Sequence, residues 1–188
     1  MTSSDATALS ADAIDIVAGR VGHSHVGDPA VEGRVALVCA KFNGGITERL
    51  LEGALAGLEA HGVKAVTVTV AWVPGAFELP LVASRLAGSG TVDAVVALGA
   101  VIRGETAHFD FVAGECATGL QRAALDTGVP VVFGVLTTDT VDQALARCSP
   151  GATNKGYEAA VTALEMADLL RKLPTPSPPS GSRRPREA

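Results

Sequence analysis

Ala97-Leu98-Gly99-Ala100-Val101-Ile102-Arg103-Gly104-Glu105-Thr106-Ala107-His108-Phe109-Asp110 is the stretch on which the reading of this chain turns. Every residue from Ala94 to Ile102 is apolar or glycine, the pattern of a strand buried on both faces. The run stops at a short polar turn, and helical spacing begins at His108. A strand of this kind belongs inside a parallel sheet. In such sheets ligands bind outside the carboxyl ends of the strands, where turns meet helix N-termini. His108 stands at that place, and by position alone it suits helix capping and catalysis equally.

Working outward, the flanking segments alternate in the same way. Val35–Ala40 is a second continuous apolar run, predicted as a buried strand. Ile46, Leu50, Leu51, Ala54, Leu55 and Leu58 recur at helical spacing, with Gly62 as a stop. Val66–Val70 alternates with period two, as a half-exposed or edge strand does. A short helix is predicted over Phe77–Leu86, closed by Gly88-Ser89-Gly90, and another over His108–Asp126. Val131–Leu136 reads as the fourth strand, Thr140–Arg147 as a short helix and Asn154–Lys172 as a long amphipathic one. The order β-α-β-α-β-α-β-α predicts a three-layer α/β sandwich, a four-stranded parallel sheet flanked by helices on both faces, with Ala94–Ile102 central. The sheet-forming domain is predicted to span 34–173. An extension, 1–33, precedes it, with Ala13–Ala18 and Val21 as its few apolar residues, and it is expected to be partly disordered. The Pro/Ser/Arg-rich segment 174–188 reads as a disordered, solvated tail.

Composition narrows the function classes. A net charge of −5 argues against non-specific nucleic-acid binding. No stretch approaches the roughly 20 unbroken apolar residues of a membrane span. The first residues, Met1-Thr2-Ser3-Ser4-Asp5, lack a basic region followed by an apolar one, so a cytoplasmic location is expected. Cys39, Cys116 and Cys148 are odd in number and far apart, as core residues of a protein in a reducing compartment are. His23, His25, His61 and His108 are too scattered to suggest a metal site. Gly151-Ala152-Thr153-Asn154-Lys155-Gly156 has a lysine before its last glycine and no strand leading into it, so it is not a P-loop. Neither G-x-G-x-x-G nor G-x-S-x-G occurs.

Polar and aromatic residues at strand ends remain. Phe42-Asn43 follows the first strand, Trp72–Glu78 the second and Arg103–His108 the third. Phe133 lies in the fourth, with Arg147 and Lys155 beyond it. A parallel sheet brings most of these to one edge, and a chain with only seven aromatic residues that spends several there is equipped for a planar ligand. Packing is the competing reading: Trp72 and Phe77 fit a core, and Glu78 fits a helix N-terminus favoured by the macrodipole.

Trp72-Val73-Pro74-Gly75-Ala76-Phe77-Glu78-Leu79-Pro80, Gly99–Asp110 and Asn154-Lys155-Gly156 together resemble the motifs of the 6,7-dimethyl-8-ribityllumazine synthase family. They occur in the family's order and spacing, and the resemblance runs from about Gly33 to Leu173. It implies a flavodoxin-like fold and a cofactor-independent transferase of riboflavin biosynthesis. That enzyme joins 5-amino-6-(D-ribitylamino)uracil to 3,4-dihydroxy-2-butanone 4-phosphate with release of phosphate and water, using neither metal nor organic cofactor. By the same resemblance Phe42 stacks on the pyrimidine with Asn43 nearby, and Ala76, Phe77 and Glu78 line the ribityl chain. Ala100, Val101 and Ile102 present backbone groups to the pyrimidine edge, and Lys155 lies near its carbonyl. Glu105 and Thr106 hold the phosphate through backbone N–H groups, helped by Arg147. Phe133 closes the pocket from a neighbouring subunit, and His108 is the proton shuttle. The implied partners are two small molecules and further copies of the chain, as a homopentamer or a sixty-subunit icosahedral shell with active sites at subunit interfaces.

The chain departs from the family pattern at two places. Glu105 sets a carboxylate beside the expected phosphate, so its side chain is expected to point away. Ser149–Thr153 differs from the Gly-Thr-Lys-Ala-Gly type of turn of shell-forming members, which leaves pentamer and shell both open. Two rival readings are a non-catalytic or shell-forming relative and another flavodoxin-like enzyme acting on a phosphorylated sugar. The full set of polar counterparts speaks against the first. The lack of a Thr/Ser-rich phosphate loop after the first strand weakens a flavodoxin reading.

Overall fold

The computed structural model describes residues 9–30 and 32–174; the first eight residues and the tail from 175 onward lie outside them. Ten elements follow in order: α1 (Ala11–Ala18), β1 (Val35–Ala40), α2 (Gly44–Ala60), β2 (Val68–Val73), α3 (Leu79–Ala87), β3 (Ala94–Ile102), α4 (His108–Thr127), β4 (Val131–Thr138), α5 (Val141–Arg147) and α6 (Lys155–Lys172). The four strands form one all-parallel sheet of order β2-β1-β3-β4. The architecture is the three-layer α/β sandwich read from the alternation, with β3 inside the sheet and β2 at its edge.

Alternate strand residues feed two separate cores, because successive side chains of a strand point to opposite faces. Leu37, Cys39, Val96 and Leu98 pack with Leu50, Leu58 and Leu164 under α2 and α6. Val38, Val95 and Ala97 pack with Leu79, Ala83, Cys116 and Leu120 under α3 and α4. All three cysteines are buried. Burial pushes the Cys39 thiol up to about 12 and the Cys116 thiol to about 11, so neither supplies a thiolate nucleophile at neutral pH.

Most element boundaries fall within a few residues of the sequence reading, and the differences have local causes. The second strand starts at Val68 rather than Val66. Thr67 donates its hydroxyl to Gly33 O (3.0 Å) and Lys64 O (2.8 Å), closing a 3-10 turn over Ala65–Thr67. Pairing with β1 then carries β2 through Trp72 and Val73, which the sequence reading put after the strand. A second 3-10 turn takes Ala76–Glu78, so α3 begins at Leu79 rather than Phe77. Thr140 and Asn154 are N-caps instead of first helical residues: Thr140 Oγ1 accepts from Gln143 N (3.2 Å) and Asn154 Oδ1 from Gly156 N (2.8 Å).

The Asn154 cap also joins three elements. Its buried amide donates to Arg49 O of α2 (3.0 Å) and to Cys148 O just beyond α5 (3.0 Å). The helices meet closely there, since a Cβ on Gly156 would lie 1.9 Å from Leu50 O. Before β1, a strap crosses α6. Asp28 N donates to Asp168 Oδ2 (2.9 Å), Lys172 Nζ donates to Val26 O (2.8 Å), and a Cβ on Gly27 would fall 2.0 Å from Glu165 O.

Asn154→Ala is expected to lower stability by about 2–4 kcal/mol in urea titration, because two carbonyls, one of them buried, and a buried N–H lose their partner together. The strap is expected to be acid-labile. Lys172 and the Asp28 N–H hold the Asp168 carboxyl below its usual range. The stabilisation is therefore present at neutral pH and is lost as pH falls below the unfolded value of about 3.9 and through the folded one. Amide exchange across Val26–Ala30, corrected for intrinsic rate, should accelerate in that window, and Asp168→Asn should remove the pH dependence.

Candidate active site

The site follows from a mismatch in strand length. β1 pairs with β3 only as far as Cys39 and Leu98, whereas β3 continues to Ile102 along β4. Beyond Leu98 the β1-facing edge of β3 has no strand partner. Asn43 covers part of it, donating its side-chain amide to Ala100 O (2.8 Å). Asn43 itself holds φ at 57°, a left-handed conformation that asparagine tolerates better than most residues, and it turns the chain from β1 into α2.

A cleft of about 650 Å³ opens at this carboxyl edge. It gathers Phe42 and Asn43 from the β1–α2 turn, Ala76, Phe77 and Glu78 from the turn after β2, and Ala100, Val101 and Ile102 from β3. Thr106 and His108 complete it from the β3–α4 turn. Ten of the expected site residues thus share one cavity. Its walls are mainly apolar, and four of the five phenylalanines line it: Phe42, Phe77, Phe109 and Phe111. Phe42 is 72 % and Phe111 68 % exposed, so these rings stand at the rim without packing partners. The core reading for Phe77 and Trp72 does not hold: both are more than half exposed, and Trp72 on edge strand β2 is outside the cleft lining.

Polar groups are concentrated at the β3–α4 end. Residues 108–111 open α4, where the first N–H groups of a helix lack intrahelical partners and favour an anion. The Thr106 hydroxyl accepts from His108 N (3.4 Å), a local turn that brings both side chains to the cleft. Glu105, which precedes Thr106, is exposed and is not part of the lining. Glu78 closes its own turn by accepting from Gly75 N (2.9 Å) through Oε2. One oxygen of that carboxylate is thus engaged with the backbone while the residue stands on the cleft wall.

The other three expected residues lie elsewhere. Phe133, Arg147 and Lys155 line a second groove of about 450 Å³, along β4 and between α5 and α6. The two linings share no residue. Arg147 Nη1 donates to Gln143 O one turn back (2.9 Å), which aligns the guanidinium along α5, and Lys155 pairs with Glu158 on α6.

Sequence reasoning did not single out Phe109, Phe111 and Val112 as lining residues, although their spacing from His108 on a helix N-terminus put them within reach. Glu158 was also missed; its signal is the i, i+3 spacing from Lys155, which aligns the two on a helix. Among the described residues no group of three or more His, Cys, Asp or Glu is arranged to hold a metal ion, and no helix is long and apolar enough to cross a membrane.

A cleft of this construction joins an aromatic rim, an anion-favouring helix terminus and an imidazole at the carboxyl edge of a parallel sheet. A family model described as 6,7-dimethyl-8-ribityllumazine synthase matches residues 32–171, a span that holds all four strands, both grooves and nearly all of α6. The chain therefore belongs to the 6,7-dimethyl-8-ribityllumazine synthase family, transferases of riboflavin biosynthesis that act on small-molecule substrates as oligomers.

Proposed function

We propose that the chain condenses 5-amino-6-(D-ribitylamino)uracil with 3,4-dihydroxy-2-butanone 4-phosphate, giving 6,7-dimethyl-8-ribityllumazine, phosphate and water without metal or organic cofactor. The observation that carries this reading is the convergence of Phe42, Phe77, Thr106 and His108 on one cleft beside the N-terminus of α4. Residues 34–173 are then the catalytic domain, and the flanking segments are accessory.

In this reading the pyrimidine stacks on Phe42 and meets the backbone of Ala100–Ile102, whose outer edge β1 leaves open. Asn43 holds that edge in shape through its bond to Ala100 O. The ribityl chain runs past Ala76, Phe77 and Glu78. The phosphate sits at the first turn of α4 against the backbone at Glu105 and Thr106, where orphan N–H groups and the helix dipole favour a dianion. The exposure of Glu105 supports contact through its backbone with the carboxylate directed away.

The chemistry has three stages. An amine adds to the ketone and the adduct loses water to give an imine. Phosphate then leaves as a proton is lost from the adjacent carbon. The second amine attacks the carbonyl that results, and loss of a second water closes the ring. Every stage moves protons near neutral pH, for which an imidazole at His108 is well matched. Holding the two reactants in register contributes on the order of 7–11 kcal/mol to the barrier reduction.

A substrate phosphate also calls for a cation, and a planar fork such as that of Arg147 matches it well. Arg147, Phe133 and Lys155 belong to a groove separate from the cleft of the same chain. Both sets can serve one reaction only where the cleft of one copy faces the second groove of the next. Such a head-to-tail contact generates a ring where its rotation closes, and a homopentamer, free or built into a shell, is the proposed assembly. The exposed phenylalanines at the rim support it, because a neighbouring copy would cover them.

Mixing the protein with both substrates should produce lumazine fluorescence together with stoichiometric phosphate. Binding without product would favour a non-catalytic relative, and no binding would favour an enzyme of another phosphorylated sugar. His108→Ala should slow turnover about 10²-fold without abolishing it; full activity would remove the proton-shuttle role. Arg147→Ala should raise KM for the phosphorylated ketone far more than KM for the pyrimidine. Co-refolding equal amounts of the His108→Ala and Arg147→Ala chains should restore about a quarter of the parental sites, since each site takes the two residues from different copies. No recovery in mixed oligomers would argue that one chain supplies both.

A further inference from the structure

The turn between β3 and α4 is tied to the neighbouring β4–α5 loop by one side chain that the reaction scheme leaves unused. Arg103 Nε donates to Asp139 Oδ1 in the β4–α5 loop (3.0 Å). Its Nη1 donates to Asp110 Oδ1 in the first turn of α4 (3.2 Å). The guanidinium carbon lies 4.1 Å from the centroid of the Phe109 ring, and the backbone N–H donates to Thr138 O (2.9 Å). The network continues beyond Asp139, whose N–H donates to Gln143 Oε1 (2.9 Å), while Gln143 O accepts from Arg147 Nη1 (2.9 Å). A continuous series of polar contacts thus links the turn carrying Thr106 and His108 to the guanidinium of the second groove.

Stability is a poor explanation for this arrangement. Both carboxylates and the guanidinium are substantially exposed, and exposed ion pairs contribute little to folding. A rigid fork against two carboxylates on different elements does restrict geometry, and a lysine point charge cannot reproduce it. Here the fork holds a turn of four exposed residues, Gly104–Ala107, that would otherwise depend on the Thr106 hydroxyl.

We propose that Arg103 is a positioning residue that locks the β3–α4 turn to the β4–α5 loop, so that the His108 cleft and the Arg147 groove of one chain are held as a single rigid body. This rests on the reading of those two grooves as halves of active sites. Because the halves serve different sites in a ring, the lock also sets the placement of each site relative to its neighbour. A displacement of about 1 Å at a reacting centre can cost on the order of 10²-fold in rate, so the consequence falls on turnover rather than on folding.

The test compares Arg103→Gln and Arg103→Lys with Arg122→Gln, which removes the same charge from the exposed i, i+4 pair with Asp126 on α4. Amide exchange of the assembled protein is followed at 104–110 and 139–143, alongside melting temperature and steady-state kinetics with both substrates. Arg103→Gln should melt within a few degrees of the parent, exchange faster at both segments and lose at least about tenfold in kcat, with KM for the pyrimidine little changed. Arg103→Lys should behave like Arg103→Gln. Asp139→Asn should reproduce the effect, and combining it with Arg103→Gln should add little. Arg122→Gln should match the parent throughout. Parental kcat in Arg103→Gln, unchanged exchange at 139–143, or an equal loss in Arg122→Gln would overturn the proposal. A parent that makes no lumazine would remove the proposed function alone, since the exchange comparison still decides whether Arg103 joins the two segments.

Discussion

The whole arrangement depends on β3 outrunning β1. Both are buried parallel strands in register from Val35 with Ala94 to Cys39 with Leu98, but β1 then turns away while β3 runs on to Ile102. A sheet edge left open in a protein interior costs free energy, because its N–H and C=O groups must find partners. Asn43 answers for one carbonyl, and β4 supports the overhang from the other side through Ile102 and Thr138. What remains is a short unpaired edge at the floor of a cleft, which is what a flat heterocycle with its own donors and acceptors can complete.

Electrostatics then separate the two ends of that floor. The chain is acidic overall, yet the proposed phosphate position is formed by backbone N–H groups at the start of α4 rather than by a cluster of cations within the cleft. The guanidinium suited to complete it, Arg147, is displayed in the other groove. In the proposed assembly, dividing the charges in this way makes each copy an incomplete site and gives self-association a chemical purpose beyond covering exposed apolar rings. The Arg103 network links the two grooves within one copy, so under the proposed lock placing one half determines the other.

Legibility differed sharply between fold and site. The unbroken apolar runs at Val35–Ala40 and Ala94–Ile102 admit few placements other than strands buried on both faces, and helical spacing between them leaves a parallel sheet as the economical topology. Boundaries moved where side chains capture backbone groups, as Thr67, Thr140 and Asn154 do, because such bonds depend on where a neighbouring carbonyl or N–H arrives. The cleft residues were legible as strand-end positions, since chain direction in a parallel sheet sends every strand's carboxyl end to the same side. Trp72 and Phe77 could not be assigned from pattern alone: an aromatic residue near a strand end looks the same whether a core or a solvent-facing rim receives it.

By itself the sequence determined the order of elements from β1 to α6, the parallel sheet, the central place of Ala94–Ile102 and the positions of the turn residues, because these follow from local periodicity and chain direction. Only the tertiary structure decided that Phe133, Arg147 and Lys155 fall in a groove apart from His108, that Asn43 closes onto Ala100, and that Arg103 reaches both Asp110 and Asp139. Those facts depend on strand lengths, helix crossings and side-chain reach across residues far apart in the chain. No periodicity encodes them, since they exist only once the two faces of the sheet have packed.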